Sequence, residues 1–332
     1  MKRKATIIIL ILLPFFCLGQ KPYKILKGHK HKVNNLSFSN DSKYLISSSW
    51  DNTVRVWNMD TFDSIRVLTG HKDNVWGCTI NSNNSLIASA SMDRSVIVWN
   101  FNTGEIVKRI KIEPHDIIVK GEIPELNHKI PNSAYSVSFS PNHQILAFGS
   151  ADHLIRIYNL KSLRIIDILN LHNSWVLGVK FSEDGKYLVS GAFRSEIIIW
   201  ETETFKPIRI IKDKDGFNGA FLLFDNNEKL LTAGNSEIII WSVETGKIIR
   251  KIPVQPVLQS VQMSADMKYM ITCAEDHTVR IWKFDTGEEI WKYTNPKPEI
   301  SSCRISPDGQ FLAVATPESN ILIWKIAEII EM

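Results

Sequence analysis

An aromatic residue closes a β-branched run at positions 57, 99, 158, 200, 241, 282 and 324, and the steps between them are 42, 59, 42, 41, 41 and 42 residues. No other feature restricts the fold as strongly. In the first copy the run is DNTVRVW (51–57), behind a Ser-rich stretch, YLISSSW (44–50), and ahead of a polar turn, NMDTFD (58–63). Asp51 precedes Trp57 by the same interval that separates Asp93 from Trp99, Asp152 from Tyr158 and Asp276 from Trp282. Trp200, Trp241 and Trp324 keep the aromatic but have Arg194, Asn235 and Glu318 at the Asp position. A unit of this size cannot bury both of its faces alone, so copies must stack on one another. A period near 42 with a Trp-ended strand is the mark of a propeller blade.

Each copy divides into strand-length pieces. The first has an inner strand at 33–38 (VNNLSF), a second at 43–48 (KYLISS), a third at 53–58 and an outer one at 64–69. Turn residues separate them, among them Asn40-Asp41-Ser42, Asp184-Gly185, Asp308-Gly309 and the Thr-Gly pairs at 103, 245 and 286. No stretch sustains helical periodicity. The expected fold is all-β, a seven-bladed β-propeller of four-stranded antiparallel blades, in which the apolar 44% of residues and ten Trp fill the spaces between sheets.

The ends of the chain bear on how such a ring closes. KILKGH at 24–29 resembles RVLTGH at 66–71, the end of the first full repeat. After Trp324 only eight residues remain, too few for a full outer strand. Residues 22–27 are therefore expected to supply that strand to the last blade, which removes two open edges. Ile329 and Ile330 are the competing segment.

Ahead of the repeats, Lys2, Arg3 and Lys4 are followed by an apolar run to Phe16 and then Cys17-Leu18-Gly19. This reads as a secretory signal peptide over 1–19 with cleavage after Gly19, and the run is too short to span a bilayer. A lipid anchor on Cys17 is the other reading. The expectation is a mature propeller over 20–332 without a transmembrane span, secreted or periplasmic, with an insertion at 113–131 between blades two and three. Cleavage lowers the formal charge from +4 to +1, which leaves no basic field for nucleic acid. Three cysteines remain, Cys78, Cys273 and Cys303. An odd number cannot all pair within one chain, and buried free thiols are expected.

Gly28-His29 and Gly70-His71, with Ser47 and Ser89, Asp51 and Asp93, and Trp57 and Trp99, resemble the WD-repeat family over residues 22–326. The resemblance implies one structural hydrogen-bond network per blade, running through His29, Ser47, Asp51 and Trp57 and again through His71, Ser89, Asp93 and Trp99. Such buried polar groups need partners. Blade four keeps His172, Ser190 and Trp200 but has Arg194 for Asp; blade three keeps Asp152 with Tyr158 but has Phe148 for Ser; blades five and seven are degenerate.

No catalytic constellation, metal-ligand spacing or cofactor motif stands out. Asp213-Lys214-Asp215-Gly216 starts like a calcium loop but lacks the later ligands. When the repeats are aligned, the residue before each turn Asp position and the residue near the start of each inner strand fall where the resemblance places the entrance of the central channel. Blades one to four put Trp50, Trp76, Met92, Tyr135, Trp175, Leu177 and Phe193 there, while blades five to seven put small and polar residues. Bare tryptophan at a turn is costly unless something covers it. The insertion over 113–131 is one cover, a protein or peptide partner the other. The expectation is thus a non-enzymatic binding scaffold, a monomeric propeller within a larger complex. The alternative is a carbohydrate- or small-ligand-binding propeller with hydrolytic or lyase activity, for which Glu275 and Glu318 are the acids in the aligned set.

Overall fold

A computed structural model of the chain describes residues 21–113, 132–212, 221–233, 237–254, 257–297 and 300–330. The expected leader, its cleavage site, nearly all of the insertion and the segment 213–216 lie outside the described residues. The described residues form 28 strands in seven four-stranded sheets and one helix of 5 residues. β-Branched and aromatic side chains stiff enough for a pleated surface dominate the strands.

Six sheets are meanders in chain order, from an inner strand to an outer one. Blade one consists of Val33–Phe38, Tyr44–Ser49, Thr53–Asn58 and Ser64–Thr69. Its second strand begins one residue later than the sequence spacing suggests. Blades two to six occupy 75–111, 134–169, 176–211, 221–253 and 258–294. The seventh sheet takes Ser302–Ile305, Phe311–Ala315 and Asn320–Lys325 from the end of the chain and Lys24–Lys27 from its start. Lys24 lies opposite Ile323 and Lys27 opposite Asn320, antiparallel. The ring therefore closes through the N-terminal strand. Ile326–Ile330 is a short helix and not a competing strand. The outer position is already filled, and Ile329 instead buries itself beside Trp291 and Trp324.

The core is a set of interblade layers. One joins blades seven and one through Leu26, Leu36, Trp57 and Ile321. Another joins blades one and two through Ile46, Leu68, Cys78 and Trp99. The pattern repeats around the ring. The closing aromatics are the wedges: Trp57, Trp99, Trp200 and Trp324 are the largest fully buried side chains. Cys78, Cys273 and Cys303 are free and buried in these layers. Burial pushes the Cys78 thiol up to about 12, which keeps it protonated and inert. Each blade leaves its outer strand as a sheet edge, and basic residues such as Arg66, Lys108, Arg209 and Arg250 on those strands discourage edge pairing.

Candidate functional site: the aromatic arc on one face

The face is defined by backbone contacts between two kinds of connection. The N–H groups of Trp50, Met92, Ala151, Phe193 and Glu275, each in a turn between second and third strands, donate to the carbonyls of Lys32, Asn74, Ser133, Trp175 and Val257 just ahead of the inner strands. Turn and strand entrance are thereby held side by side in five blades.

Beneath that face lie the hydrogen-bond networks. In blade one the Trp57 indole N–H donates to the Ser47 hydroxyl at 2.8 Å; Ser47 Oγ lies 2.7 Å from His29 Nε2, and His29 Nδ1 lies 2.8 Å from Asp51 Oδ2. An ionised carboxylate only accepts, so Nδ1 carries the proton and Nε2 accepts from the serine. Every donor in the chain is used. Burial pushes the His29 imidazole below its ordinary value, so it is neutral. Burial alone would raise the Asp51 carboxyl, but the hydrogen bonds from His29, Thr53 and the Lys30 N–H hold it well below the carboxylate range. Blade two repeats this geometry with His71, Ser89, Asp93 and Trp99, at 2.8–2.9 Å.

Blade four solves the missing aspartate in a way the sequence alignment did not anticipate. Arg194 occupies the turn position, but Glu196 two residues on reaches back to His172 at 3.0 Å, and Ser190 bridges His172 and Trp200 at 2.7 and 2.8 Å. The His172 hydrogen bond draws the Glu196 carboxyl down to about 2. The extra methylene of Glu compensates for its place two residues beyond the usual Asp position, just ahead of the third strand. In blade three the histidine is replaced from within the same strand: buried Arg156 bonds Asp152 at 2.7 Å and Ser150 at 2.8 Å. In blades five and six a threonine, Thr232 or Thr272, accepts the Trp N–H.

Above the networks, the aromatic candidates meet. The inner strands of blades one to four and six each carry a register shift near the start, and the extra residue is Asn34, Trp76, Tyr135, Leu177 or Gln259. A bulge of this kind re-aims one side chain without disturbing the rest of the strand. The rings form a continuous arc: His31 stacks on Trp50 at 5.8 Å, Trp50 meets Trp76 at 6.2 Å, Trp76 meets Tyr135 edge-on at 5.1 Å, Tyr135 meets Trp175 at 6.1 Å, and Trp175 stacks on Phe193 at 5.9 Å. Gly77 permits the close approach at its middle, since a Cβ there would lie 2.7 Å from the Tyr135 carbonyl oxygen. A cation rests over the first tryptophan of the arc and over its last ring, Lys32 on Trp50 at 4.9 Å and Arg194 on Phe193 at 5.1 Å.

The arc is graded in exposure. Trp175 is 41% exposed and Tyr135 only 8%, with Trp50, Trp76 and Phe193 half-buried. Tyr135 is therefore a support for its neighbours and not a contact residue. Met92 and Leu177, half-buried on the same face, take no part in the ring contacts; Met92 Sδ lies 3.9 Å from Asn74 Nδ2. The indole N–H groups of Trp50 and Trp76 have no acceptor among the described residues. His31 escaped the sequence alignment because it lies two residues before its inner strand, whereas Trp175 lies one residue before its own, the position that Lys32 holds in blade one. Glu275 and Glu318 lie on other blades, where Gln259 and Lys297 hold them at 3.0 and 2.8 Å. Among the described residues, no His, Cys, Asp and Glu cluster could hold a metal ion, and no helix is long and apolar enough to cross a membrane.

Comparison with known proteins agrees with the repeat geometry. The family described as "WD domain, G-beta repeat" matches six segments, 20–58, 62–100, 125–159, 163–201, 247–283 and 287–325, together more than half of the chain. The chain is 38% identical over 199 residues to the small ribosomal subunit protein RACK1 of Drosophila melanogaster, covering 59% of this chain and 58% of that one. It is 37% identical over 214 residues to the cross-pathway control WD-repeat protein 2 of Flammulina velutipes, with 64% and 62% covered. It is 36% identical over 212 residues to the MST50-interacting protein 11 of Pyricularia oryzae, at the same coverage. The aligned region spans about six-tenths of the length of these relatives.

Proposed function

This chain belongs to the WD-repeat family, and we propose that it is a non-enzymatic scaffold that binds a protein or peptide through the aromatic arc of blades one to four. The observation that carries this reading is the arc itself: a line of mutually touching rings, built on bulges and turns of four consecutive blades, that stays on the surface. Large rigid aromatics lose little conformational freedom on binding and are the side chains that anchor interfaces. One relative's name, MST50-interacting protein 11, records an interaction with another protein. We place the mature scaffold in the periplasm or outside the cell, as a monomeric ring within a larger complex, on the strength of the basic and apolar leader at 2–16.

The test is cross-linked co-purification from a cell-envelope extract with wild type and with the Trp50→Ala, Trp76→Ala, Phe193→Ala triple variant. Each truncation of a central anchor should cost about 2 kcal/mol of binding or more, so the partner recovered with wild type disappears. Equal recovery by a folded triple variant refutes the arc as the binding surface. A mature N-terminus that does not begin at Gln20 refutes the cleavage site.

A further inference from the structure

Charge around the aromatic arc is sorted by depth. Beneath it lie the carboxylates of Asp51, Asp93 and Glu196, whose side chains are 7%, 6% and 4% exposed. They already accept hydrogen bonds from their histidines and from the turns around them. At the surface the sign reverses. Lys30 and Lys72 follow the network histidines of blades one and two, Arg94 follows Asp93, Arg194 follows Phe193, and all are exposed. Backbone contacts fix their places beside the arc. The Lys30 N–H donates to Asp51 at 2.9 Å, next to Trp50, and the Lys72 N–H donates to Asp93 at 2.9 Å, next to Met92. The Arg194 guanidinium lies 5.1 Å from the centre of the Phe193 ring.

None of these cations has an ion-pair partner among the described residues. In the described entrance segments and turns of blades one to four, Asp73 is the one exposed acid that opposes them. On blades six and seven the acids of the same face are engaged: Gln259 holds Glu275, Arg280 holds Asp276 and Lys297 holds Glu318. Uncommitted cations therefore gather on the side of the face that carries the rings, and they favour an anionic ligand there.

An acidic peptide and a nucleic-acid strand both carry that charge, and the rings decide between them. A single strand is held by successive bases stacked on open ring faces. Along the arc from Trp50 to Phe193 the interplanar angles run 40°, 73°, 38° and 23°, so successive rings do not present parallel faces. The end faces are also taken, by His31 and Lys32 on Trp50 and by Trp175 and Arg194 on Phe193. The path from Trp50 to Phe193 is about 23 Å along the ring centres, the reach of about seven extended residues.

We propose that the occupant of the arc is an extended acidic peptide segment, with carboxylates about seven residues apart facing Lys30 and Arg194 and an apolar side chain between them on Trp76 and Trp175. Lys72 and Arg94 flank its middle. This occupant presupposes that the arc is the binding surface.

Selection of a phage-displayed library of random peptides on the immobilised protein tests this. Enriched peptides are expected to carry Asp or Glu on both sides of an apolar residue. Synthetic copies should bind about tenfold or more tightly at low salt than at near-molar salt, where screening is nearly complete. The Lys30→Gln, Lys72→Gln, Arg194→Gln variant should bind them about tenfold or more weakly than wild type, with an unchanged urea midpoint because the altered side chains are exposed. Arc-dependent peptides that are neutral or basic overturn the acidic assignment and leave the arc standing as the binding surface. Enriched peptides that bind the Trp50→Ala, Trp76→Ala, Phe193→Ala variant as they bind wild type overturn the arc itself, and the acidic occupant with it. Selection that enriches no peptide overturns the proposal, and so does an oligothymidylate strand that binds the arc more tightly than the selected peptides.

Discussion

Truncating Leu26 to Ala tests ring closure at its narrowest point. The closing strand is four residues long, and Leu26 is its one buried side chain, 1% exposed, packed with Leu36, Trp57 and Ile321 across blades seven and one. Removing a buried leucine side chain costs about 2–5 kcal/mol, against a total margin of about 5–15 kcal/mol for a folded domain. Leu68, 2% exposed on the outer strand of blade one, is the control because its truncation removes the same atoms from the neighbouring layer. The difference is topological. The strand holding Leu68 is tied into its own blade at both ends, whereas residues 24–27 are joined to the ring by chain on one side only. Both variants should therefore lower the urea midpoint by similar amounts. Leu26→Ala alone should open locally, and trypsin should nick the native protein after Lys24 or Lys27 about 30-fold faster or more, the factor that corresponds to 2 kcal/mol. Native-state nicking at the wild-type rate in Leu26→Ala, or equal acceleration at these two sites in Leu68→Ala, refutes the view that this strand is a separable clasp.

Two further outcomes follow from the networks. Trp57→Phe should cost about 1–2 kcal/mol more than Trp324→Phe, because the Trp57 N–H is bonded to Ser47 while that of equally buried Trp324 has no acceptor among the described residues; equal urea midpoints would refute the network as a stabilising feature. Acid should unfold the protein in two stages. Unfolded histidine takes up a proton below about pH 6.5 that folded His29 refuses, and the unfolded carboxylates do so below about pH 4, whereas folded Asp51 and Asp93 stay ionised and Glu196 holds out to about 2. Stability is thus present at neutral pH and is lost as pH falls, and Asp51→Asn should flatten the lower stage. A melting temperature that does not change between pH 7 and 3 would refute these assignments.

The blade count, the strand order within a blade and the clasp were legible because each is written as periodicity or as a length deficit at the chain end. The networks of blades one and two were legible because their four residues keep fixed spacings. Glu196 was not, since alignment at a fixed position sees only Arg194 and cannot see that a longer side chain two residues on reaches the same histidine. Arg156 was missed for the same reason: its role depends on which face of its strand is buried against Asp152. The arc residues were visible as a column of aromatics, but their grading from exposed Trp175, ahead of its inner strand, to buried Tyr135, in a bulge, depends on backbone geometry that an alignment does not carry.

The structural and the surface residues of this face are mechanically one device. Trp50 is followed at once by Asp51, and Asn52 then adopts a left-handed backbone with φ of 68°. Such a turn is strained for most residues and persists only where its surroundings fix it. The Asp51 carboxylate does this by bonding the N–H and hydroxyl of Thr53 ahead of it and the Lys30 N–H and His29 ring across from it. The Trp50 N–H is clamped to the Lys32 carbonyl in the same stroke. Blade four has a related arrangement in which the left-handed residue comes one position earlier, with Arg194 at φ of 48°, Glu196 gripping His172, and Phe193 clamped to Trp175. The two ends of the arc, Trp50 and Phe193, therefore stand on turns locked by a buried carboxylate–histidine pair. A network of this kind restrains the rings before a partner arrives, so less freedom is lost on binding. Its burial is thus as much a part of the surface's recognition as the rings themselves.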